Sequence, residues 1–430
     1  MLTLRHSRVR GFSMVELMVA MLIGLIGMII IFQVFEVSEG IKRTTTSGGD
    51  AQQNGAIALY VMEHDLRNSG MGFNDASFAG CKILAYDSLR TAPNFTMTLA
   101  PALICAPGST APGGNCPGTG AAGTTPDQVT VFYGSQPLIA DATMLNTNFT
   151  ANANPLSVMS AYAYRPGDLV VLLEPASGKN CSFMEVTGPL PMTNVLNHAD
   201  SGAIYPLVTG GNKTARFNKS GGLGVLPYIG TGANATRVYN LGNLHEPPAG
   251  PNAPVYNTYA IDNTNTLTVS SAFVLDATGK PAKNGVADNI VHMRAQYGLD
   301  DGVNDGSVTF AGTFVPGDGL VDRFVSAPVF NAILPAPPWQ SLIAVRLAIV
   351  ARSAQPEKPL GSDGSKCDAT TDGTEAVTPG PDRRPSWSGG IIDVSASGDP
   401  SPASPAYWKC YRYRVFETTV PLRNWIWRSS

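Results

Sequence analysis

An apolar segment near the N-terminus limits what this chain can fold into more than any other feature. Residues 12–35, FSMVELMVAMLIGLIGMIIIFQVF, contain a single charged side chain, Glu16, at the fifth position of the run. As an α-helix rising about 1.5 Å per residue, the segment would be roughly 36 Å long, enough to cross a bilayer core of roughly 30 Å. A charged side chain inside such a helix costs about 2.5–3.5 kcal/mol, so Glu16 is a candidate functional residue rather than a residue placed by chance at the interface.

The residues that flank the apolar run predict which way it is inserted. Arg5, Arg8 and Arg10 precede it without any acidic residue, and positive charge of this kind stays on the cytoplasmic side while the rest of the chain is exported. A secretory signal peptide has an apolar core of about 7–15 residues followed by a small-residue cleavage site. Here the run is longer, and residues 36–39 read EVSE. We therefore predict that the apolar helix stays on the mature protein.

The segment from Gly11 to Leu17, GFSMVEL, resembles the processing site of type IV prepilins. The resemblance implies that a prepilin peptidase cuts after Gly11 and methylates the new amine of Phe12. It also implies that Glu16 neutralises such an amine on a neighbouring subunit during assembly, because opposite charges at close range stabilise each other. We accordingly assign residues 1–11 to a leader peptide and residues 12–35 to a transmembrane helix that becomes a filament-core helix.

The polar stretch that follows predicts an amphipathic continuation of this helix over residues 36–70. Its glycines predict fraying or a bend in residues 36–49, and Asp50 with Gln53 offers a capping box for a helix that ends near Gly70. One side of this helix is apolar, with Asp65 as an interruption. The apolar side consists of Ile57, Ala58, Val61, Met62 and Leu66.

Short motifs at both ends of the chain resemble those of PilW-type minor pilins. The segments are N-G-x-x-A-L at 54–59, D-L-R-x-S-G at 65–70 followed by Cys81, Y-G-L-D at 297–300, G-D-G-x-V-D-R at 317–323, V-R-x-A at 345–348 and V-F-x-T-T-V-x-L-R-N at 415–424. The resemblance implies a pilin-like α+β fold, in which the long N-terminal helix packs on an antiparallel β-sheet. Residues 71–430 would form a periplasmic, later extracellular, β-rich domain with long loop-rich insertions.

Apolar runs and alternating patterns predict several strands in this domain. Apolar runs bounded by turn residues predict strands at 128–133, 168–174 and 183–186, and alternation predicts three more at 291–297, 343–349 and 411–416. The last three would form an antiparallel sheet that covers the helix. Residues 91–127, rich in Ala, Pro, Gly and Thr, predict a surface loop, and residues 198–254 predict loops with short strands.

All six cysteines follow the apolar run, and an even number in an exported domain favours disulfides. Six cysteines allow 15 connectivities. Cys105 with Cys116 would close a local loop, Cys367 with Cys410 would clip a Pro/Gly-rich insertion to a C-terminal strand, and Cys81 with Cys181 would be left. A metal site is the rival interpretation, but the chain has no Cys-x-x-Cys and no His next to a cysteine.

Other sequence features give little support to metal, enzyme or nucleic-acid functions. The acidic turns at 300–306 and 318–322 are rich in oxygen ligands but lack the spacing of an EF-hand loop, and Asp, Asn and Gly are also the residues of plain turns. Of five histidines, His6 leaves with the leader and the others have no catalytic motif nearby. We expect no cofactor and no enzyme. Nothing in the composition, with a net charge of −3, suggests nucleic-acid binding.

Three functional hypotheses follow. The first is a minor pilin that helps to prime pilus assembly at the tip; the resemblance implies prepilin peptidase, other minor pilins, the major pilin and a PilY-type tip adhesin as partners, and the inner membrane as its location before assembly. The second is a pseudopilin of a type II secretion system, which has the same N-terminal chemistry. The third is a periplasmic binding protein or enzyme with an uncleaved membrane anchor.

Overall fold

A computed structural model shows one long helix followed by a β-rich domain. It describes residues 11–73, 75, 78–107, 110–111, 114–115, 125–135, 142–153, 155–175, 177–243, 245, 253–300, 319–333, 338–357, 367, 369–370, 383–401, 404 and 407–426.

Helix α1 (Met14–Asn68) is unbroken over 55 residues. The predicted bend in residues 36–49 and the capping box at Asp50 are therefore wrong, since Asp50 lies inside the helix. Glycines in a helix cost about 1 kcal/mol each but keep their backbone hydrogen bonds, and this segment contains no proline. The helix ends as expected at Gly70, which adopts a left-handed conformation (φ +81°) that other residues rarely take.

The remaining elements are short. Two further helices, α2 (Ala327–Asn331) and α3 (Arg423–Ile426), occur in the C-terminal third. The strands are β1 (Cys81–Tyr86), β2 (Asn94–Leu99), β3 (Ala102–Cys105), β4 (Thr110–Ala111), β5 (Gly114–Asn115), β6 (Gln128–Tyr133), β7 (Thr143–Met144), β8 (Leu156–Ser157), β9 (Asp168–Leu173), β10 (Cys181–Glu185), β11 (Gly188–Thr193), β12 (Val195–Asn197), β13 (Ile204–Pro206), β14 (Asn212–Thr214), β15 (Arg237–Asn243), β16 (Val255–Ile261), β17 (Leu267–Leu275), β18 (Pro281–Ala287), β19 (Ile290–Leu299), β20 (Arg323–Val325), β21 (Leu342–Arg352), β22 (Ser386–Trp387), β23 (Gly390–Ile391) and β24 (Tyr413–Pro421).

The C-terminal sheet covers the second half of α1. Its strand order is β20-β19-β21-β24 and all its pairs are antiparallel. The three alternating strands predicted from the sequence are β19, β21 and β24, so this part of the α+β fold is confirmed. Its inner face packs on Ala58, Met62 and Leu66 of the helix, which are fully buried.

Two more sheets enlarge the domain beside this unit. A five-stranded sheet has the order β18-β17-β16-β6-β3, and a six-stranded sheet has the order β2-β1-β10-β9-β15-β7. Strand β9, with the sequence DLVVLL, is buried on both faces. Leu169 and Val171 join the main core, whereas Val170 and Leu172 join a second core on the other side of the sheet. A continuous apolar run is what such a doubly covered strand requires.

The surface loop predicted for residues 91–127 is wrong over most of its described part. Strands β2 and β3 occupy much of it, and Met97, Leu99 and Ile104 are buried in the main core. The Ala, Pro, Gly and Thr content of this stretch predicted a loop, although it contains two strands of six and four residues. In residues 198–254 the short strands β13 and β14 agree with the prediction, but β15 is longer and lies inside the six-stranded sheet.

Motifs from the two ends of the chain meet where α1 docks on the C-terminal sheet. Gly55 of α1 lies under the ring of Phe416 of β24, so closely that a methyl group at Gly55 would overlap the ring. At the end of the helix, the Nδ2 atom of Asn424 donates to the carbonyl oxygens of Arg67 (3.3 Å) and Asn68 (3.1 Å). These bonds satisfy carbonyls that a helix C-terminus otherwise leaves without partners.

This docking predicts that Gly55→Ala destabilises the protein although alanine favours helices. Overlap with Phe416 should lower the free energy of unfolding by about 1–3 kcal/mol, which outweighs the gain of about 1 kcal/mol in helix propensity. Gly49→Ala is the matched control, because the space around Gly49 is open. Thermal unfolding of the detergent-solubilised protein should show a lower melting temperature for Gly55→Ala and an equal or higher one for Gly49→Ala.

Candidate assembly helix

The expected processing site lies in an exposed, extended segment ahead of α1. Residues 11–13 precede the first helical residue, Met14, and the side chain of Phe12 is 83% exposed. Ser13 has extended backbone angles (φ −74°, ψ 145°), and its carbonyl oxygen accepts the first helical hydrogen bond from Leu17 N at 3.1 Å. An exposed, irregular segment is the kind of backbone that a peptidase can reach.

Glu16 occupies the first turn of α1 and is exposed. A carboxylate there is favoured by the partial positive charge of the helix N-terminus. Within the described part of the chain, Glu16 has no ion-pair or hydrogen-bond partner. Its carboxylate is therefore available for a cation supplied by another molecule.

The first half of α1 presents an uncovered apolar surface. The large hydrophobic side chains from Met14 to Ile41 are exposed all around the helix. The helix is long and apolar enough to cross a membrane. Since soluble monomers rarely expose contiguous apolar patches of more than a few hundred Å², this surface calls for lipid or other helices around it.

Asp65 attaches the second half of α1 to the domain through polar contacts. Although only 8% exposed, its carboxylate accepts hydrogen bonds from Tyr259 Oη (2.7 Å), Tyr133 Oη (3.1 Å) and Asn257 Nδ2 (3.1 Å). Burial, together with the adjacent Asp65 charge, raises the pKa of both tyrosine hydroxyls, so they remain protonated donors. The residue that interrupts the apolar side of the helix thus binds it to β6 and β16.

Comparison with known families gives one match at the start of the helix and one in the C-terminal part of the domain. Residues 6–32 match the prokaryotic N-terminal methylation motif, and residues 258–424 match the family of type IV pilus-assembly protein W. The chain is thus similar to the PilW family over residues 258–424, which are 167 of its 430 residues. Together the two matches support a type IV pilus-related pilin. No curated protein and no solved structure matches the chain.

The two matched regions contain the expected processing site and one partner of several contacts described above. The methylation motif includes Gly11, Phe12 and Glu16, and the PilW match runs from β16 to α3, so that it includes Tyr259, Phe416 and Asn424. Residues 33–257 lie outside both matches. The six-stranded sheet and the second core lie within this unmatched part of the chain.

Two disulfides join positions of the domain that are far apart in the sequence. Cys81 at the start of β1 is bonded to Cys181 at the start of β10, and Cys367 is bonded to Cys410 just before β24. The bonds join positions 100 and 43 residues apart, and loops of such lengths restrict the unfolded chain by roughly 4–5 kcal/mol each on the chain-entropy account. Cys105 is also disulfide-bonded. Its expected partner, Cys116, lies outside the described residues.

The acidic turns and the histidines do not come together in a reactive centre. Asp300 is buried, and its Oδ2 atom accepts a hydrogen bond from Gly319 N at 2.8 Å, whereas residues 301–318 lie outside the described chain. Among the described residues, no group of three or more His, Cys, Asp or Glu side chains could hold a metal ion. His64 is largely exposed, and His198 and His292 are buried at separate places.

A buried ionic network was missed by the sequence analysis. Arg216 holds Asp87 through two 2.7 Å hydrogen bonds, and Glu185 accepts bonds from the backbone N–H groups of Arg216 (2.7 Å) and Phe217 (3.0 Å). Burial lowers the pKa of His245, whose Nε2 atom lies 3.9 Å from Glu185. These charges satisfy one another inside the protein, so the network is structural. No sequence motif links these distant positions.

The polar attachment of α1 predicts a large effect of Asp65→Leu on stability. The substitution leaves two hydroxyls and one amide without their acceptor, which should lower the free energy of unfolding by about 1–3 kcal/mol. Glu63→Leu, which removes a surface ion pair with Arg67 on the same helix, should change it by about 0–1 kcal/mol. Equal melting temperatures for the two variants would contradict the role of Asp65.

Proposed function

We propose that this protein is a minor pilin that primes type IV pilus assembly and is located at the pilus tip. One observation carries the proposal: a single helix has Glu16 in its first turn, without a partner among the described residues, and a bare apolar surface over its first half, while the domain covers only its second half. In this proposal, prepilin peptidase removes residues 1–11 and methylates Phe12.

The free half of α1 suits two successive environments. From Met14 to Ile41 it extends roughly 40 Å at about 1.5 Å per residue, a length that spans a bilayer. Before assembly it would anchor the protein in the inner membrane, with the domain in the periplasm. During assembly the same apolar surface would pack among the helices of neighbouring pilins. The apolar side chains would thus be kept away from water both in the membrane and in the filament.

Glu16 would set the axial position of the subunit relative to its neighbour when the helix passes from the membrane into the filament. Cleavage leaves a positive amine at Phe12, and a carboxylate from an adjacent helix can pair with it. In apolar surroundings, removing one member of such a pair costs about 3–5 kcal/mol, because the other charge is then buried alone. A subunit that slips along its neighbour loses this pair, so the correct axial position is favoured.

The size of the domain supports a position at the end of the filament. The six-stranded sheet and its second core add a wide body beside the unit that α1 docks on. Such a body is easier to accommodate at a tip than in a shaft, where each subunit is enclosed by others. Other minor pilins, the major pilin and a PilY-type tip adhesin are the partners that this position implies. The proposed role is structural and not catalytic.

The first test is mass spectrometry of the N-terminus of the protein isolated from its native membrane or pili. We expect a mature chain that begins with N-methylated Phe12. An intact leader, or an unmethylated Phe12, would contradict the proposal and favour an anchored periplasmic protein. Loss of secretion with normal piliation in a deletion strain would instead favour a pseudopilin.

The second test concerns Glu16→Ala. The variant should be cleaved normally, because the cleaved bond and its flanking residues are unchanged. Its incorporation into sheared pili should fall by about tenfold or more, as expected for the loss of a buried charge pair. Glu39→Ala is the matched control, an exposed carboxylate on the same helix beyond the apolar run. Equal incorporation of both variants would contradict the role of Glu16.

A further inference from the structure

Strand β24 forms one edge of the C-terminal sheet and is unusually regular. It contains nine residues, and its pairing with β21 runs from Pro421 opposite Ala344 to Tyr413 opposite Arg352 without a register shift. A long, regular edge strand presents a row of unpaired backbone groups that can bind another strand.

The hydrogen bonds at the two ends of β24 show which backbone groups point outward. Leu422 N donates to Ile343 O, and Ser353 N donates to Arg412 O. Since hydrogen-bonded pairs alternate along an antiparallel ladder, the even-numbered residues of β24 bond to β21. The N–H and C=O groups of Val415, Glu417 and Thr419 therefore point away from the sheet.

These outward groups have no hydrogen-bond partner anywhere in the described chain. The other edges of the larger sheets are blunted by comparison. Edge strand β18 carries Pro281 and Lys283 and has register shifts against β17. On edge strand β2, the N–H group of Thr98 donates a hydrogen bond to Tyr256 Oη. Strands β3, β7 and β20 have only four, two and three residues. Proline, bulges and short length are common protections of sheet edges, and β24 has none of them within its ladder before Pro421, although Arg414 and Glu417 place charges along it.

The open edge runs alongside α1 in the same direction. Phe416 lies over Gly55, and eight residues later Asn424 binds the carbonyl groups of Arg67 and Asn68. A subunit whose own helix packs parallel to α1 would therefore carry its domain past this edge.

We propose that β24 pairs with an edge strand of a neighbouring, non-identical pilin subunit, so that the β-sheet continues across the subunit boundary. This inference rests on the proposed function, because the parallel helices of a filament bring the two domains together. The exposed side chain of Arg414 favours a partner strand with an acidic residue at the facing position, whereas the Glu417 carboxylate already accepts a hydrogen bond from Ser388 N (3.1 Å).

A second copy of β24 does not fit this position. Pairing of two identical edges is isologous, which makes the two strands antiparallel. Because α1 runs in the same direction as β24, an antiparallel pair of β24 strands would make the two copies of α1 point in opposite directions. Pilins enter a filament from one membrane with their helices in the same orientation, so the partner must present a different strand.

Thr419→Pro tests this edge in the full-length protein. Proline removes the outward N–H of Thr419 and leaves the bonds from β24 to β21 in place, which is why edge strands tolerate it. Thr419→Val is the matched control, since it keeps the N–H group and a β-branched shape. We expect incorporation of Thr419→Pro into sheared pili to fall about tenfold or more, with Thr419→Val close to wild type. Equal incorporation of the two variants would overturn the proposal.

Photo-crosslinking decides the question even if Thr419→Pro fails to fold. A photoreactive phenylalanine analogue replaces Thr419, or Lys283 on β18 as the control, and whole piliated cells are irradiated. Peptide sequencing should identify an adduct from position 419 to another pilin subunit, and no such adduct from position 283. An adduct to a second copy of this chain, or none to a pilin, would overturn the proposal. Absence of the wild-type protein from pili would instead refute the proposed function.

Discussion

The structure depends on one constraint: a single helix must be bare over its first half and covered over its second. An apolar surface can stay exposed only where lipid or other helices replace water, so the domain has to begin where the apolar run has ended. The contacts at Ser47, Gly55, Asp65 and Asn68 mark this change of surroundings along α1. Because the helix is continuous, whatever holds its first half also positions the whole domain.

Long, periodic features of the sequence predicted the fold well. The apolar run, the strand of residues 128–133 and the three C-terminal strands are confirmed, since each has a pattern that few other structures satisfy. The predicted bend was wrong because glycines weaken a helix only modestly, while packing around Ala51 and Gly55 supports it. Strands β2 and β3 were missed because the Ala, Pro, Gly and Thr content of the whole stretch was given more weight than the short apolar patterns NFTMTL and ALIC within it.

The candidate site was predictable only in part. Gly11, Phe12 and Glu16 share a local motif, so their positions follow from the sequence. The role of Asp65 could not be read from the chain, because its partners are 68 to 194 residues away and become neighbours only in the folded domain. The same applies to Gly55 and Phe416, each of which is unremarkable without the other. Contacts between distant segments are set by the tertiary fold and leave no local pattern.

The common direction of α1 and β24 has a mechanical consequence. Tension applied to the domain and resisted at the helix would load the bonds between β24 and β21 along the strands. Those bonds lie perpendicular to the strands, so nine paired residues would resist the sliding together and would not separate one after another. The disulfide at Cys410 lies immediately before this strand and limits how far the chain can be drawn out there. The unit on which α1 docks is therefore suited to bear a load along the axis of α1.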